Sequence, residues 1–455
     1  MSGVSRLLAG PQEGRPESLG EHLERLGPLF PVAGRWSSGA ALGSGSIRSG
    51  GGSAEEGGSI GPARVGPARV GPARAGQAAT GLVAEVERAG LTGRGGGAFP
   101  TAAKMAAVAR GSSRLRSAAV VANGAEGEPE SAKDGVLLAR RPHLVLDGVE
   151  AASRAVGART AVVCVSCRSP EALAAVTGAL AERRRSRPEG IRVEVLETPD
   201  RFVAGEETAL LSLVGGGEAK PRVVPPLPAE KGLDGRPTLV DNVETLAHVA
   251  MIARFGADWF REVGTAGEPG TALVTLAGDV RRPGVYEVAL GSSLPSIIGA
   301  AGAGASAPAV LVGGCFGTWV GRGDVEGASL SVESLAPLGA SPGAGVLVVL
   351  PDGVCGLAET ARLATWLASE SSGQCGPCVN GLAAVAGAMA ELALPRGVPG
   401  SLLARLARWC GDIEGRGACR HPDGVVRLVG SALAVFAGEI EAHRRGSCVV
   451  ARAWR

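Results

Sequence analysis

The chain has 455 residues and a formal net charge of +2, enough length for two or three hydrophobic cores and too little charge for a nucleic-acid or anionic-membrane partner. No apolar run approaches the roughly 18 to 20 residues of a membrane span, and the N-terminus lacks a charged-then-apolar signal pattern. A cytoplasmic protein, or one peripheral to a membrane complex, is expected. Nine cysteines without a framework spacing point to thiols or metal ligands rather than disulfides.

Residues 1 to 80 read as a low-complexity, largely disordered segment. Gly-Pro-Ala-Arg-Val recurs at 61 and 66 and nearly again at 71, behind a Gly/Ser stretch, and such composition buries too little apolar surface to offset its ordering entropy. Only residues 17 to 30, with Leu19, Leu23 and Leu26 at helical spacing, are candidates for docking. From residue 81 the pattern alternates. Helices are expected over 81–89, 102–109, 145–156 and 170–184, with strands over 118–122, 160–165 and 191–196, which together argue for a largely parallel sheet covered on both faces. Residues 81–262 form this first domain. Residues 271–350 change character, with short strands over 272–277, 284–288 and 310–312 between Gly and Pro turns, a small separate α+β unit. Residues 355–445 turn helical, over 357–369, 382–392, 402–409 and 425–444, and read as a four-helix bundle with cysteines at its helix ends.

The basic residues are almost all arginine. Four lysines (Lys104, Lys133, Lys220, Lys231) and three asparagines (Asn123, Asn242, Asn380) are present, and all but Asn380 lie between 104 and 242. In a chain so depleted of both types, their positions point to chemistry.

Five segments carry such chemistry. Gly93-Arg94-Gly95-Gly96-Gly97-Ala98-Phe99-Pro100-Thr101 places glycines ahead of a helix, where backbone N–H groups and the helix dipole suit phosphate oxygens and Arg94 and Lys104 add positive charge. Asn123-Gly124-Ala125-Glu126-Gly127-Glu128-Pro129 follows a strand directly, the position where parallel sheets bind ligands. Asn123 can read a flat heterocycle, and Glu126 and Glu128 can shape the field of a redox ring. Gly205-Glu206-Glu207-Thr208 and Val240-Asp241-Asn242-Val243-Glu244-Thr245 are similar polar segments; each of these three is equally consistent with a solvated turn. Finally, Ser372-Gly373-Gln374-Cys375-Gly376-Pro377-Cys378, with Cys419 downstream, offers three thiolates and a hydroxyl. By itself this set admits a four-iron cluster with one oxygen or outside ligand, a three-iron cluster, zinc, or free thiols. Cys355, Cys410 and Cys448 are further donors that the sequence leaves unplaced. Cys164 and Cys167 read as a strand end, His421 as a candidate neighbour of the cysteine site, and Arg183-Arg184-Arg185 as a solvated helix end.

In their order along the chain, GLTGRGGGAFPTAAK, NGAEGEPESAKD, AGEETALL, PRVVPPLPA, GRPTLVDNVETL and ESSGQCGPC resemble the flavin- and NADH-binding subunit of respiratory complex I and its relatives in hydrogenases and formate dehydrogenases. The resemblance runs from about Leu91 to Val435, roughly three quarters of the chain. It implies a Rossmann-like α/β flavin-binding domain with a β-grasp insertion and a C-terminal four-helix iron–sulfur bundle. It implies FMN held by Gly93, Arg94, Gly95, Gly96, Phe99, Lys104, Asn123, Glu126, Glu206, Glu207, Asp241, Asn242 and Thr245, with Glu126, Glu206 and Glu207 tuning or gating the flavin. It implies a 4Fe–4S cluster on Cys375, Cys378 and Cys419, with Ser372 where the family has a cysteine. Electrons then pass between a soluble reductant, NADH or a ferredoxin-like protein, the FMN and the cluster, with an iron–sulfur protein as the partner.

The chain departs from that family at defined places. Ala107 and Leu227 stand where the family places phenylalanines against the nicotinamide nucleotide, and Val224 where it places a lysine. With stacking worth roughly 1 to 3 kcal/mol per aromatic, the NADH grip is expected to be weaker than the flavin grip. Ala125 replaces an aspartate of the flavin loop, and Asp241 replaces the first asparagine of an Asn-Asn pair. A redox-inactive scaffold that binds a partner through the β-grasp and helical units is the alternative function.

Overall fold

The computed structural model describes residues 5–9, 15–29, 75–186, 191–304, 307–396 and 398–448. The Gly-Pro-Ala-Arg-Val repeats lie outside the described residues. Strands β1 (Ala118–Gly124), β2 (Ala158–Ser166), β3 (Arg192–Thr198) and β4 (Thr238–Asn242) form an all-parallel sheet in the order β3-β2-β1-β4. Successive residues of β1 face opposite sides, as the strand pleat requires. Val120 and Ala122 pack into the main core, beneath the helices Pro142–Val156 and Val243–Arg261, whereas Ala119 and Val121 pack with Leu210 and Leu211 of the helix Glu207–Val214. This two-sided burial explains why the strands read as continuous apolar runs.

The second sheet joins β5 (Thr271–Gly278), β6 (Gly284–Ala289), β7 (Ala309–Val312), β8 (Thr318–Gly321) and β9 (Val346–Val349) in the order β6-β5-β9-β7-β8, with β5 and β9 parallel and the other pairs antiparallel. Val310 and Val312 of β7 face this unit's own helix Leu294–Ala300, while Ala309 and Leu311 face the C-terminal helices. The last expected helix is broken into His421–Val435 and Ala437–Arg444. The break at Phe436 turns its ring into the gap left by Gly356, where a Cβ would stand 2.3 Å from the ring, and against Trp319.

The docking candidate of the N-terminal segment packs on the first domain: Leu29 is buried in the main core, and the helix Leu19–Leu26 is closed by a capping box between Ser18 and Glu21. Beyond that expectation, Leu7 is buried in the same core. Polar contacts substitute for apolar area there, since buried His22 meets Asp147 at 2.6 Å and Glu17 at 3.3 Å. The Arg183 end of its helix, expected to be solvated, meets the same Asp147 at 2.5 Å, and Arg254 joins them. Two arginines and a histidine therefore hold the Asp147 carboxyl far below the usual range despite its burial.

Candidate functional site

Asn123 and Asn242 are register partners at the C-terminal ends of β1 and β4, the rim where parallel sheets bind ligands. Three of the predicted segments converge on this rim. Asn123 Nδ2 donates to Gly205 O at 2.9 Å, and Asn242 Nδ2 donates to Asn123 O at 3.1 Å. Gly127 packs directly on the turn Phe202–Gly205; a Cβ there would lie 2.6 Å from Phe202 O, so only glycine fits without a shift. Across the rim, a Cβ on Gly95 would lie 3.3 Å from Asn242 Cβ, which brings the glycine loop against the Asp241-Asn242 pair.

The carboxylates take distinct positions. Glu126, at φ 42°, folds back to accept from Ser131 Oγ at 2.7 Å and from the N–H groups of Asp134 and Gly135, both at 2.9 Å, and so caps the helix Lys133–Arg140. Glu206 caps the helix Glu207–Val214 through Thr208 N and Ala209 N. Glu207, partly exposed like the other two, differs in pairing with a cation, 3.1 Å from Lys104 Nζ. Lys104 also donates to Val240 O at 2.6 Å and stands 3.9 Å from Asp241 Oδ1. Burial pushes the Asp241 carboxyl up to about 6; Lys104 opposes the rise and Glu207 adds to it. Asp241 Oδ2 is buried without a hydrogen-bond partner, an acceptor that a donor on a flat heterocycle would satisfy.

Arg94 does not present its charge to this rim. Its guanidinium is buried under β5, donating to Thr271 O at 3.2 Å and to Thr92 O and Oγ1 at 3.1 and 2.9 Å, 4.0 Å from Glu244. Its backbone N–H donates to Thr245 Oγ1 at 2.8 Å, so Thr245 holds the glycine loop in place. The cleft beside this loop, lined by Gly93, Arg94, Gly96, Glu244, Leu273 and Gly343, shares only the three loop residues with the predicted flavin set. Phe99 stands at the loop's end, 58% exposed; Val224 and Leu227, where rings or charge are missing, are 42% and 53% exposed.

Beneath the rim lies a buried network to which the sequence motifs assign no role. Lys133 Nζ meets Asp134 Oδ1 at 2.7 Å, Glu244 Oε2 at 2.9 Å and Asn242 Oδ1 at 3.1 Å, and Asn242 Nδ2 donates to Asp134 Oδ2 at 2.7 Å. Burial raises Asp134 to about 7 against the pull of Lys133, whereas Lys133 and His248 hold Glu244 at about 2 despite its burial. The rarity of lysine was the signal that marked Lys133. Glu128, also fully buried, accepts from Cys315 N at 2.9 Å and is raised to about 7 by burial, tying the loop after β1 to the β7–β8 turn.

The cysteines gather beyond the C-terminal end of the helix Gly356–Ser369. Cys378, in the π-helical turn Pro377–Gly381, lies beside Cys375 and Ser372, whose side chains act on its thiol. Cys419, ahead of the helix His421–Val435, feels both Cys378 and Cys375; its thiol is raised to about 11 by burial, with these thiols and Glu206 adding. Three thiols and one hydroxyl thus converge, a donor set that fits an iron–sulfur cluster with one oxygen or outside ligand. Neither Cys355 nor Cys448 supplies the fourth thiolate: Cys355 caps the opposite end of the 14-residue helix, about 20 Å away at 1.5 Å per residue, and Cys448 lies with Cys355. His421 Nε2 is bonded to Leu367 O at 2.8 Å. Its ring meets Phe202 at 5.5 Å and Phe316 at 5.2 Å, and Phe202 also meets Trp366. Cys164 is a buried strand residue raised to about 12 by desolvation, and Cys167 is exposed.

Residues 86–251 match the family model of the Nuo51 FMN-binding domain, residues 273–314 the SLBB domain, and residues 358–443 the NADH-ubiquinone oxidoreductase-F iron–sulfur binding region. The chain is 32% identical over 375 residues to the second F subunit of the NADH-quinone oxidoreductase of Rhizobium meliloti (strain 1021), covering 80% of this chain and 88% of that one. It is 32% identical over 382 residues to the NADH-quinone oxidoreductase F subunit of Streptomyces coelicolor, covering 80% and 83%. Among solved structures it resembles a chain of the NAD+-reducing NiFe hydrogenase in the air-oxidized state, with a TM-score of 0.74 and 31% identity over 80% of this chain; it spans 63% of that longer chain. The first domain, the second sheet and the cysteine-bearing helices thus match the three family models in order along the chain, and this chain belongs to the family of NADH-quinone oxidoreductase F subunits.

Proposed function

We propose that the chain carries electrons between a soluble reductant and an iron–sulfur partner, through FMN at the ends of β1 and β4 and a cluster at Ser372, Cys375, Cys378 and Cys419. The observation that carries this reading is the turn Phe202–Glu207. On one side it accepts from Asn123 at the flavin rim. On the other, Phe202 N donates to Glu370 Oε2 at 2.8 Å, its ring packs on His421, and Glu206 adds to the burial that raises the Cys419 thiol. One short segment therefore separates the two cofactor positions.

Bound FMN supplies the exchange between two-electron and one-electron chemistry. The chain's own residues hold and polarise the site. Asn242, whose amide atoms bond Asn123 O, Asp134, Lys133 and Glu244 N, and Asn123, which bonds Gly205 O, fix the shape of the rim, Lys104 places positive charge beside β4, and Asp241 offers its unpartnered buried oxygen. Glu126 and Glu206 act as caps that fix the two loops, and Glu207, paired with Lys104, is the carboxylate placed to gate the reductant. The Lys133 network beneath keeps Asn242 oriented through both its amide atoms.

The reductant in this reading is NADH, held mainly by Phe99 and the glycine loop. A ferredoxin-like donor is the second reading, favoured by Val224 and Leu227, which stand exposed without offering ring or charge. No helix among the described residues is long and apolar enough to cross a membrane, which suits a cytoplasmic or membrane-peripheral protein. The test is the flavin, iron and sulfide content of anaerobically purified protein, followed by NADH titration. Flavin and iron bleached by NADH support the first reading, and flavin and iron without bleaching support the second. Protein that binds neither cofactor after reconstitution overturns both in favour of a scaffold.

A further inference from the structure

The start of the helical domain carries a second group of metal-binding side chains, at the end of the helix Gly356–Ser369 that lies away from the Cys375 site. Cys355, 4% exposed, caps that helix; His443, fully buried, lies on the helix Ala437–Arg444; Cys448 follows it. The ligand atoms of these three residues all lie within 4.8 Å of one another. Cys355 Sγ is 3.7 Å from His443 Nε2 and 3.1 Å from Glu439 Oε2. A tetrahedral zinc ion with Zn–S near 2.3 Å and Zn–N near 2.0 Å needs donors about 3.5 to 3.8 Å apart.

A second, independent feature prepares the histidine. Its Nδ1 is bonded to Leu392 O at 2.8 Å. A carbonyl only accepts, so Nδ1 carries the proton and Nε2 presents its lone pair toward the cysteines, the orienting arrangement typical of metal-bound imidazole. We propose that Cys355, His443 and Cys448 form a zinc site, its fourth position taken by water, that ties the last described helix to the junction between β9 and the helical domain; Glu439, whose oxygens accept from Gly356 N and Leu357 N, caps the helix beside it. Two thiolates and one imidazole select zinc over magnesium or calcium, which take all-oxygen shells. Binding releases the two thiol protons to solvent. The site is separate from the iron–sulfur ligands, so the two metals are held independently.

The test uses the full chain purified anaerobically without chelator, with zinc and iron measured together and the zinc environment read by X-ray absorption. The expected result is about one zinc per chain in a mixed sulfur and nitrogen or oxygen shell, with Zn–S near 2.3 Å. Cys448→Ser and His443→Gln should each lower zinc about tenfold while leaving iron unchanged, and Cys375→Ser should lower iron and leave zinc in place. The unmodified chain's absorption spectrum decides the matter even where a variant fails to fold. Zinc absent after addition of the metal, zinc in an all-oxygen shell, zinc retained in both variants, or a Cys355–Cys448 disulfide in the anaerobic protein would each overturn the proposal.

Discussion

Asp241→Asn replaces a buried carboxyl by the neutral amide of the same shape at the flavin-side rim. In the folded chain burial raises Asp241 from 3.8 to about 6, so at intermediate pH the folded state binds the proton more readily than the unfolded one. Stability contributed by that proton is present below about pH 4 and is lost as pH rises through about 6. At 1.36 kcal/mol per pH unit the full loss is about 3 kcal/mol. That net rise already includes the attraction of Lys104, 3.9 Å away and a quarter exposed, which favours the charged aspartate. Asp241→Asn should therefore stabilise the flavin-free protein by about 1 to 3 kcal/mol at pH 8 and make no difference at pH 4. Urea unfolding of both proteins from pH 4 to pH 8 measures the divergence. Parallel profiles across that range would refute the burial of Asp241 as the source of the strain.

Removing the cation of the buried network is the converse experiment: Lys133→Met leaves Asp134 and Glu244 buried without their shared partner and should cost about 3 to 5 kcal/mol, read by denaturant midpoint at pH 7. Gly127→Ala forces a Cβ to within 2.6 Å of Phe202 O; it should lower stability by about 1 to 3 kcal/mol and reduce bound flavin, measured by fluorescence after acid release. Ser372→Cys supplies a fourth thiolate beside Cys378 and should raise iron retention on air exposure, followed by iron analysis over time; equal loss from both proteins would count against Ser372 facing the cluster.

Local pattern carried much of the fold. Strands β1 to β3 and the helices around them were legible because each lies within one apolar period, and the glycine loop and cysteine motif were legible because their residue types serve few purposes besides binding. The helix Lys133–Arg140 was missed because its start is set by Glu126, a cap that a chain turn with φ 42° brings back. The break at Phe436 was hidden because the ring's partner, Gly356, lies eighty residues earlier, and only packing brings them together. The docking of the N-terminal helix was legible as a candidate from its leucine spacing, but its anchor, a charge network on Asp147, was not.

The same division holds for the site. Sequence by itself determined the family and singled out the glycine loop, the Asn123 and Asn242 pair and the three cysteines as candidates, since a ligand that needs specific atoms constrains residue type directly. Tertiary structure alone decided what each charged side chain does. Arg94 turned inward to Thr271 and Thr92, Glu126 and Glu206 became caps, and Cys355, His443 and Cys448 met from distant positions. The physical reason is that a charge's role depends on its burial and on its partners within a few ångströms, and long-range packing sets both.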